Sequence, residues 1–143
     1  MAASDVRLYF RLQRAAHLMR KAADRALLEA AGLTTAQAAV LIVAGSVDRP
    51  TQKAVATALG LNESAVTAMA GRLIALGYLE RTRCPADRRA WLLRPTKKGR
   101  RALDRIAEPF GRINRRIDDA LGADDVQAVA AALARLTAAF DDA

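Results

Sequence analysis

The chain has 143 residues, 52% of them apolar, and 23 lysines and arginines against 15 acidic residues leave a formal charge of +8. This composition excludes a disordered ground state and suits one domain, or one small domain with a helical appendage. One cysteine and one histidine exclude an intrachain disulfide and argue against a zinc site, so neither metal nor cofactor is expected. No apolar run reaches the roughly 18–20 residues of a membrane span. Met1-Ala2-Ala3-Ser4-Asp5 has neither the basic nor the apolar region of a secretory signal, so a cytoplasmic protein with no membrane partner is expected.

Between residues 5 and 31 there is neither Pro nor Gly, and Leu8, Leu12, Ala15, Met19, Ala22 and Ala26 recur at helical spacing. This predicts a long first helix, stopped by Gly32. Thr34, with Gln37 three residues on, matches a capping box for a second helix ending near Gly45. Thr51 can cap a third helix, to about Leu59, and Asn62 a fourth, to about Leu76; Gly60 and Gly77 break them. Two short helices joined at Gly60-Leu61 make a helix-turn-helix pattern. Residues 78–83 and 90–94 are then β-competent, with Cys84-Pro85-Ala86-Asp87-Arg88-Arg89 as the tip of a hairpin. Trp91, at its base, is expected to anchor the hairpin on the core. Thr96 can cap the next helix, along which Leu103, Ile106, Phe110, Ile113 and Ile117 recur. After Gly122, Val126, Val129, Leu133, Leu136 and Phe140 repeat the stripe. Such narrow stripes suit helix–helix seams, and the terminal helices carry more of them than a small domain covers. A homodimer built from both chain ends is therefore expected, with Leu8, Leu12, Phe110, Ile113, Ile117, Val129, Leu133, Leu136 and Phe140 at its interface. The predicted fold is mainly α with a small β-hairpin wing: a winged helix-turn-helix domain over residues 33–99 and a helical dimerisation region over 1–32 and 100–143.

Charge is uneven along this plan. Residues 51–101 hold eleven basic and three acidic side chains, a net +8, whereas residues 1–50 carry +3 and residues 102–143 carry −3. A local basic excess is the electrostatic footprint of a polyanion partner. On the helix from Asn62, counted at about 100° per residue, Val66, Met69, Ala70 and Leu73 share one face. Ser64, Thr67, Ala68, Gly71 and Ala75 lie opposite, with Arg72 at the flank. A face so small and polar can enter a major groove, where Ser64 and Thr67 reach base edges or phosphates. Around the hairpin tip stand Arg83, Arg88 and Arg89, suited to the negative potential of a narrow minor groove. Asp87 is expected to hold a neighbouring arginine in one rotamer.

These residues resemble the MarR family of bacterial winged-helix transcriptional regulators over nearly the whole chain. The resemblance rests on residues 32–41 from Gly32-Leu33-Thr34 to Val40-Leu41, on Asn62-Glu63-Ser64-Ala65-Val66-Thr67, on Arg72-Leu73 through Gly77-Tyr78-Leu79-Glu80-Arg81, and on Asp87-Arg88-Arg89-Ala90 followed by Pro95-Thr96-Lys97-Lys98-Gly99. It implies a homodimer on a pseudo-palindromic operator of double-stranded DNA, usually a repressor, often released by small phenolic or lipophilic compounds. By position it implies that Asp87 and Arg89 are the wing pair, with Arg89 in the minor groove. It makes Ser64, Ala65, Thr67 and Ala68 base-facing, and lets Thr51, Gln52 and Lys53 begin the helix that crosses the backbone. Two departures are Ala68, where many members carry a basic residue, and Pro95, where an aliphatic residue is common.

Phe10, Gln13, Arg14, His17 and Lys21 share a second face of the first helix and make a candidate site for an aromatic carboxylate effector; a plain polar face at a domain junction is the alternative. Cys84, beside Arg83, offers a thiol-based redox response as another reading. No catalytic arrangement stands out, and no enzyme is expected. A winged-helix adaptor that binds protein rather than an operator is the competing class, against which the basic wing argues.

Overall fold

A computed structural model describes residues 3–141 of the chain, with side chains from Arg7 onward. Six helices and one hairpin follow in the order α1 (Ala3–Ala31), α2 (Thr35–Ser46), α3 (Gln52–Leu59), α4 (Glu63–Ala75), β1 (Leu79–Arg83), β2 (Trp91–Pro95), α5 (Lys97–Leu121) and α6 (Ala123–Phe140). Residues up to Pro109 form one compact unit, and residues from Phe110 a second. Among the described residues no single helix is long and apolar enough to cross a membrane.

The helix starts follow from local chemistry. Thr34 and Gln37 form the reciprocal capping box, each side chain accepting from the other's backbone N–H at 3.2 and 3.0 Å. Thr51 accepts from Ala54 N–H at 3.0 Å, Asn62 from Ala65 N–H at 2.8 Å and Thr96 from Gly99 N–H at 3.0 Å. Each cap satisfies one of the donors a helix leaves orphaned at its N-terminus.

The core of the first unit is built from Leu27, Leu33, Val40, Leu41, Val55, Val66, Leu73, Leu93 and Ile106, all fully buried. On α1 the inward residues are Ala23, Leu27 and Ala31, about one residue round the helix from the seam that Leu8, Leu12 and Ala26 suggest. Asp24 fixes this end of α1: its Oδ1 accepts from the Thr35 N–H at 2.7 Å and from the Thr35 hydroxyl.

The antiparallel hairpin pairs Leu79 with Pro95 at its base and Arg83 with Trp91 towards its tip. It gains an edge from the segment before α3: Leu93 N–H donates to the Pro50 carbonyl at 2.9 Å, and Thr51 bridges Leu92. Pro95 ends β2, buried, where its missing N–H is tolerated. Leu79 and Leu93 anchor the hairpin; Trp91 does not, and stays half-buried. The reason is register. Trp91 lies on the same side of the strands as those leucines, but near the tip, where the sheet has run past the core.

Tyr78 is the corner at which four elements meet. Its N–H donates to Leu73 of α4, its carbonyl accepts from Thr96 N–H at 3.0 Å, and its buried hydroxyl donates to the Ala31 carbonyl at 2.9 Å. Arg105 of α5 donates to the same hydroxyl at 3.2 Å and to the Ala30 carbonyl at 3.1 Å. Gly99 lets α5 pass close above: a Cβ there would stand 1.9 Å from the Tyr78 carbonyl oxygen. Gly71, mid-helix in α4, has open space around it. Ala in place of Gly inside a helix ordinarily gains about 1 kcal/mol, so the two glycines should respond with opposite sign. Thermal unfolding is expected to show Gly71→Ala stabilised by up to about 1 kcal/mol, and Gly99→Ala destabilised by about 1–3 kcal/mol because backbone cannot yield as a side chain can.

Candidate nucleic-acid interface

The helix-turn-helix is made by α3 and α4. Gly60 ends α3 in the left-handed conformation, φ 65°, which only glycine adopts without penalty, and Leu61 N–H returns to the Ala56 carbonyl at 2.9 Å. The chain thereby turns straight into Asn62, whose Oδ1 also accepts from the Ser64 hydroxyl at 2.7 Å. On α4, Val66, Ala70 and Leu73 face the core. Ser64, Thr67, Ala68, Gly71, Arg72 and Ala75 are exposed, as the helical count predicts, and Ala65 is half-buried beside them.

Two of the expected DNA-facing groups are turned to internal use. Gln52 is 7% exposed, and its Nε2 donates to the Thr67 hydroxyl at 2.6 Å. Its side chain therefore joins α3 to α4 and is not available at the surface. The Thr67 hydroxyl in turn donates to the Glu63 carbonyl at 2.8 Å, which leaves its methyl as the freer part of an exposed side chain. Thr51 is half-buried, its hydroxyl capping α3; of the three residues at this helix start, Lys53 alone presents a free charge outward.

The wing keeps its cations exposed. Asp87 Oδ1 accepts from the Arg89 N–H at 3.0 Å and from Arg89 Nε at 3.3 Å. An exposed pair of this kind contributes little stability; its consequence is orientation, since it limits the directions Arg89 can take. Ala90 N–H closes the tip on the Asp87 carbonyl at 2.9 Å, and Arg83 Nη1 donates to the Arg88 carbonyl at 3.0 Å. Cys84 is a free thiol, half-buried, at the point where the strand enters the tip.

Beneath the tip lies a feature that composition does not suggest. The Arg83 guanidinium stands 3.7 Å from the centre of the Trp91 ring, and that of Arg81 stands 4.4 Å from it. The only available signal is register arithmetic: if residues 84–90 form the loop, Arg83 faces Trp91 and Arg81 lies two residues back on the same side. The opposite side of the hairpin is different in kind. There Glu80 accepts from Arg94 Nε at 2.7 Å and from its Nη2, and a recess of about 230 Å³ opens between Arg49, Glu80, Thr82, Leu92 and Arg94.

Phe10, Gln13, Arg14, His17 and Lys21 are all exposed on α1. The Phe10 ring meets Tyr9 edge to face at 5.3 Å. None of the five lines the recess on the hairpin.

A model of the MarR family matches residues 31–90, from the end of α1 to the wing tip. The chain is 36% identical over 112 residues to the transcriptional activatory protein BadR of Rhodopseudomonas palustris. That match covers 72% of this chain and 60% of BadR, so the chain spans under two thirds of this relative's length. Among solved structures it is similar to the transcriptional repressor CouR bound to a 23-mer DNA duplex: 31% identity, 91% of this chain and 92% of CouR covered, TM-score 0.84. It is also similar to the PcaV transcriptional regulator of Streptomyces coelicolor in complex with its natural ligand, at 31% identity, with 99% and 100% covered and a TM-score of 0.78. With this fold, this capped helix-turn-helix and relatives of this similarity along almost its full length, the chain belongs to the MarR family of transcriptional regulators.

Proposed function

We propose that the chain is a homodimeric, sequence-specific DNA-binding transcriptional repressor, released from its operator by a small lipophilic or aromatic ligand. One observation carries the DNA reading: a small-residue face of α4 is exposed on the unit whose wing holds Arg89 by its own backbone and side chain against Asp87. Two copies would set their α4 helices in successive major grooves about 34–36 Å apart, with the wings reaching flanking minor grooves. Phosphate contacts would supply most of the affinity and base edges the discrimination. CouR, bound to duplex DNA and named a repressor, and PcaV, held with a natural ligand, support operator binding and ligand release.

The dimer is supported by what single helices leave uncovered. On α1, Leu8 and Leu12 are exposed; on α6, Val129, Leu133 and Leu136 are exposed and Phe140 is 79% exposed. Phe110, Ile113 and Ile117 are half-buried on α5. Apolar stripes of this length on two helices are what a partner chain covers. Residues 1–32 and 100–143 are accordingly assigned to dimerisation and 33–99 to DNA. The effector is assigned to Phe10, Gln13, Arg14, His17 and Lys21, whose cations suit a carboxylate and whose ring suits an aromatic body. A ligand there releases DNA only if it binds more tightly to a dimer with unsuitable half-site spacing.

Fluorescence anisotropy with DNA from upstream of the protein's own gene tests the reading. Binding is expected to be selective over a scrambled duplex and to weaken steeply with salt; equal, weak binding to both duplexes would count against an operator-binding function. Arg89→Ala should weaken operator binding by about 1–3 kcal/mol at fixed salt, and Asp87→Ala by less, because the cation remains but its direction is freed. Light scattering should show Leu133→Asp shifted to monomer, with operator affinity reduced in parallel; a stable dimer of that variant would exclude α6 from the interface.

A further inference from the structure

We propose that Arg81, Trp91 and Arg83 form a second nucleic-acid contact on the wing, a preorganised clamp for the phosphodiester backbone of duplex DNA, separate from the Asp87–Arg89 pair; it rests on the DNA-binding reading above. Two guanidiniums lie within 3.7 and 4.4 Å of one ring centre, and the strand register places all three residues on one side of the hairpin. Among the described residues no carboxylate pairs with either arginine: the ion pairs of this region are Glu80 with Arg94, on the other side, and Asp87 with Arg89. Two like charges this close repel, and here the negative face of the indole holds them together. Charges gathered without a counter-ion make a site for an anion.

The geometry selects the ligand. A guanidinium held over a ring face can keep N–H groups at its edge free, and that edge matches a phosphate bidentately. Arg83 commits Nη1 to the Arg88 carbonyl at 3.0 Å, and among the described residues Arg81 makes no side-chain hydrogen bond, so its fork stays open. Both side chains are exposed. Holding the guanidiniums over the ring also removes beforehand much of the rotamer entropy that a free arginine loses on binding. Trp91 is thus a positioning residue, and the clamp carries no sequence information.

That last property gives the test its form. Operator and scrambled duplexes are titrated against full-length protein over a salt series. Arg81→Ala is expected to weaken both duplexes by the same factor, about three- to tenfold, and to lower the salt slope by about one, whereas Arg89→Ala acts chiefly on the operator. Trp91→Leu, which keeps apolar bulk but no π face, should lose affinity for both duplexes, and Trp91→Phe should recover most of it. Trp91 is the sole tryptophan, so its emission in the wild type should change on DNA binding and return at high salt. Unchanged affinity and slope in Arg81→Ala, or Trp91→Leu binding as well as Trp91→Phe, would overturn the clamp. Loss of discrimination between duplexes by the wild type would instead overturn the operator reading, with the clamp still legible in the slope of Arg81→Ala.

Discussion

The close passage of α5 over Tyr78 is the constraint on which the winged unit depends. Gly99 permits it, since any Cβ would drive into the Tyr78 carbonyl oxygen. With α5 at that distance, Thr96 can cap it while donating its hydroxyl to the Gly77 carbonyl at 2.6 Å, and Arg105 can reach both the Tyr78 hydroxyl and Ala30. One corner therefore sets the angle at which α4 ends, the hairpin begins and α5 departs. Hydrogen bonds of this sort contribute about 1 kcal/mol each; their greater effect is that buried polar groups accept only one arrangement.

From that corner the hairpin projects beyond its support. Its base has Leu79 and Leu93 in the core, but towards the tip most side chains are exposed. A two-stranded ribbon alone is marginal in water. The wing is ordered instead by polar means: Asp87 on Arg89, Arg83 on the Arg88 carbonyl, and two guanidiniums on Trp91. The interactions that keep the tip in shape involve the same cations that face outward, so order and charge presentation are one property there.

Helix α4 is treated in a related way. Gln52, almost fully buried, ties α3 to α4 through Thr67, and the Thr67 hydroxyl is then occupied on both sides. The outward face of α4 loses a hydroxyl donor and gains rigidity. With Ala68 next to it, this face is built of small side chains that suit close fit better than long charged reach. Pro109 lies inside α5 and lacks the N–H that would reach the Arg105 carbonyl, and the first compact unit ends at that residue.

Much of this was legible in the residues themselves. The caps at Thr34, Thr51, Asn62 and Thr96, the turn at Gly60 and the inward face of α4 depend on neighbours three or four positions away, and the sequence alone determines them. The Asp87–Arg89 pair, two residues apart, belongs to the same class. Tertiary structure decided the rest. Gln52 is drawn inward by a partner 15 residues on, and Tyr78 by one 47 residues back. Trp91 is kept from the core because the strands outrun it. Composition and period say that a side chain is amide, phenol or indole, and on which side of an element it stands. Whether that side meets water, a helix or a guanidinium depends on where distant elements come to rest, which no local spacing encodes.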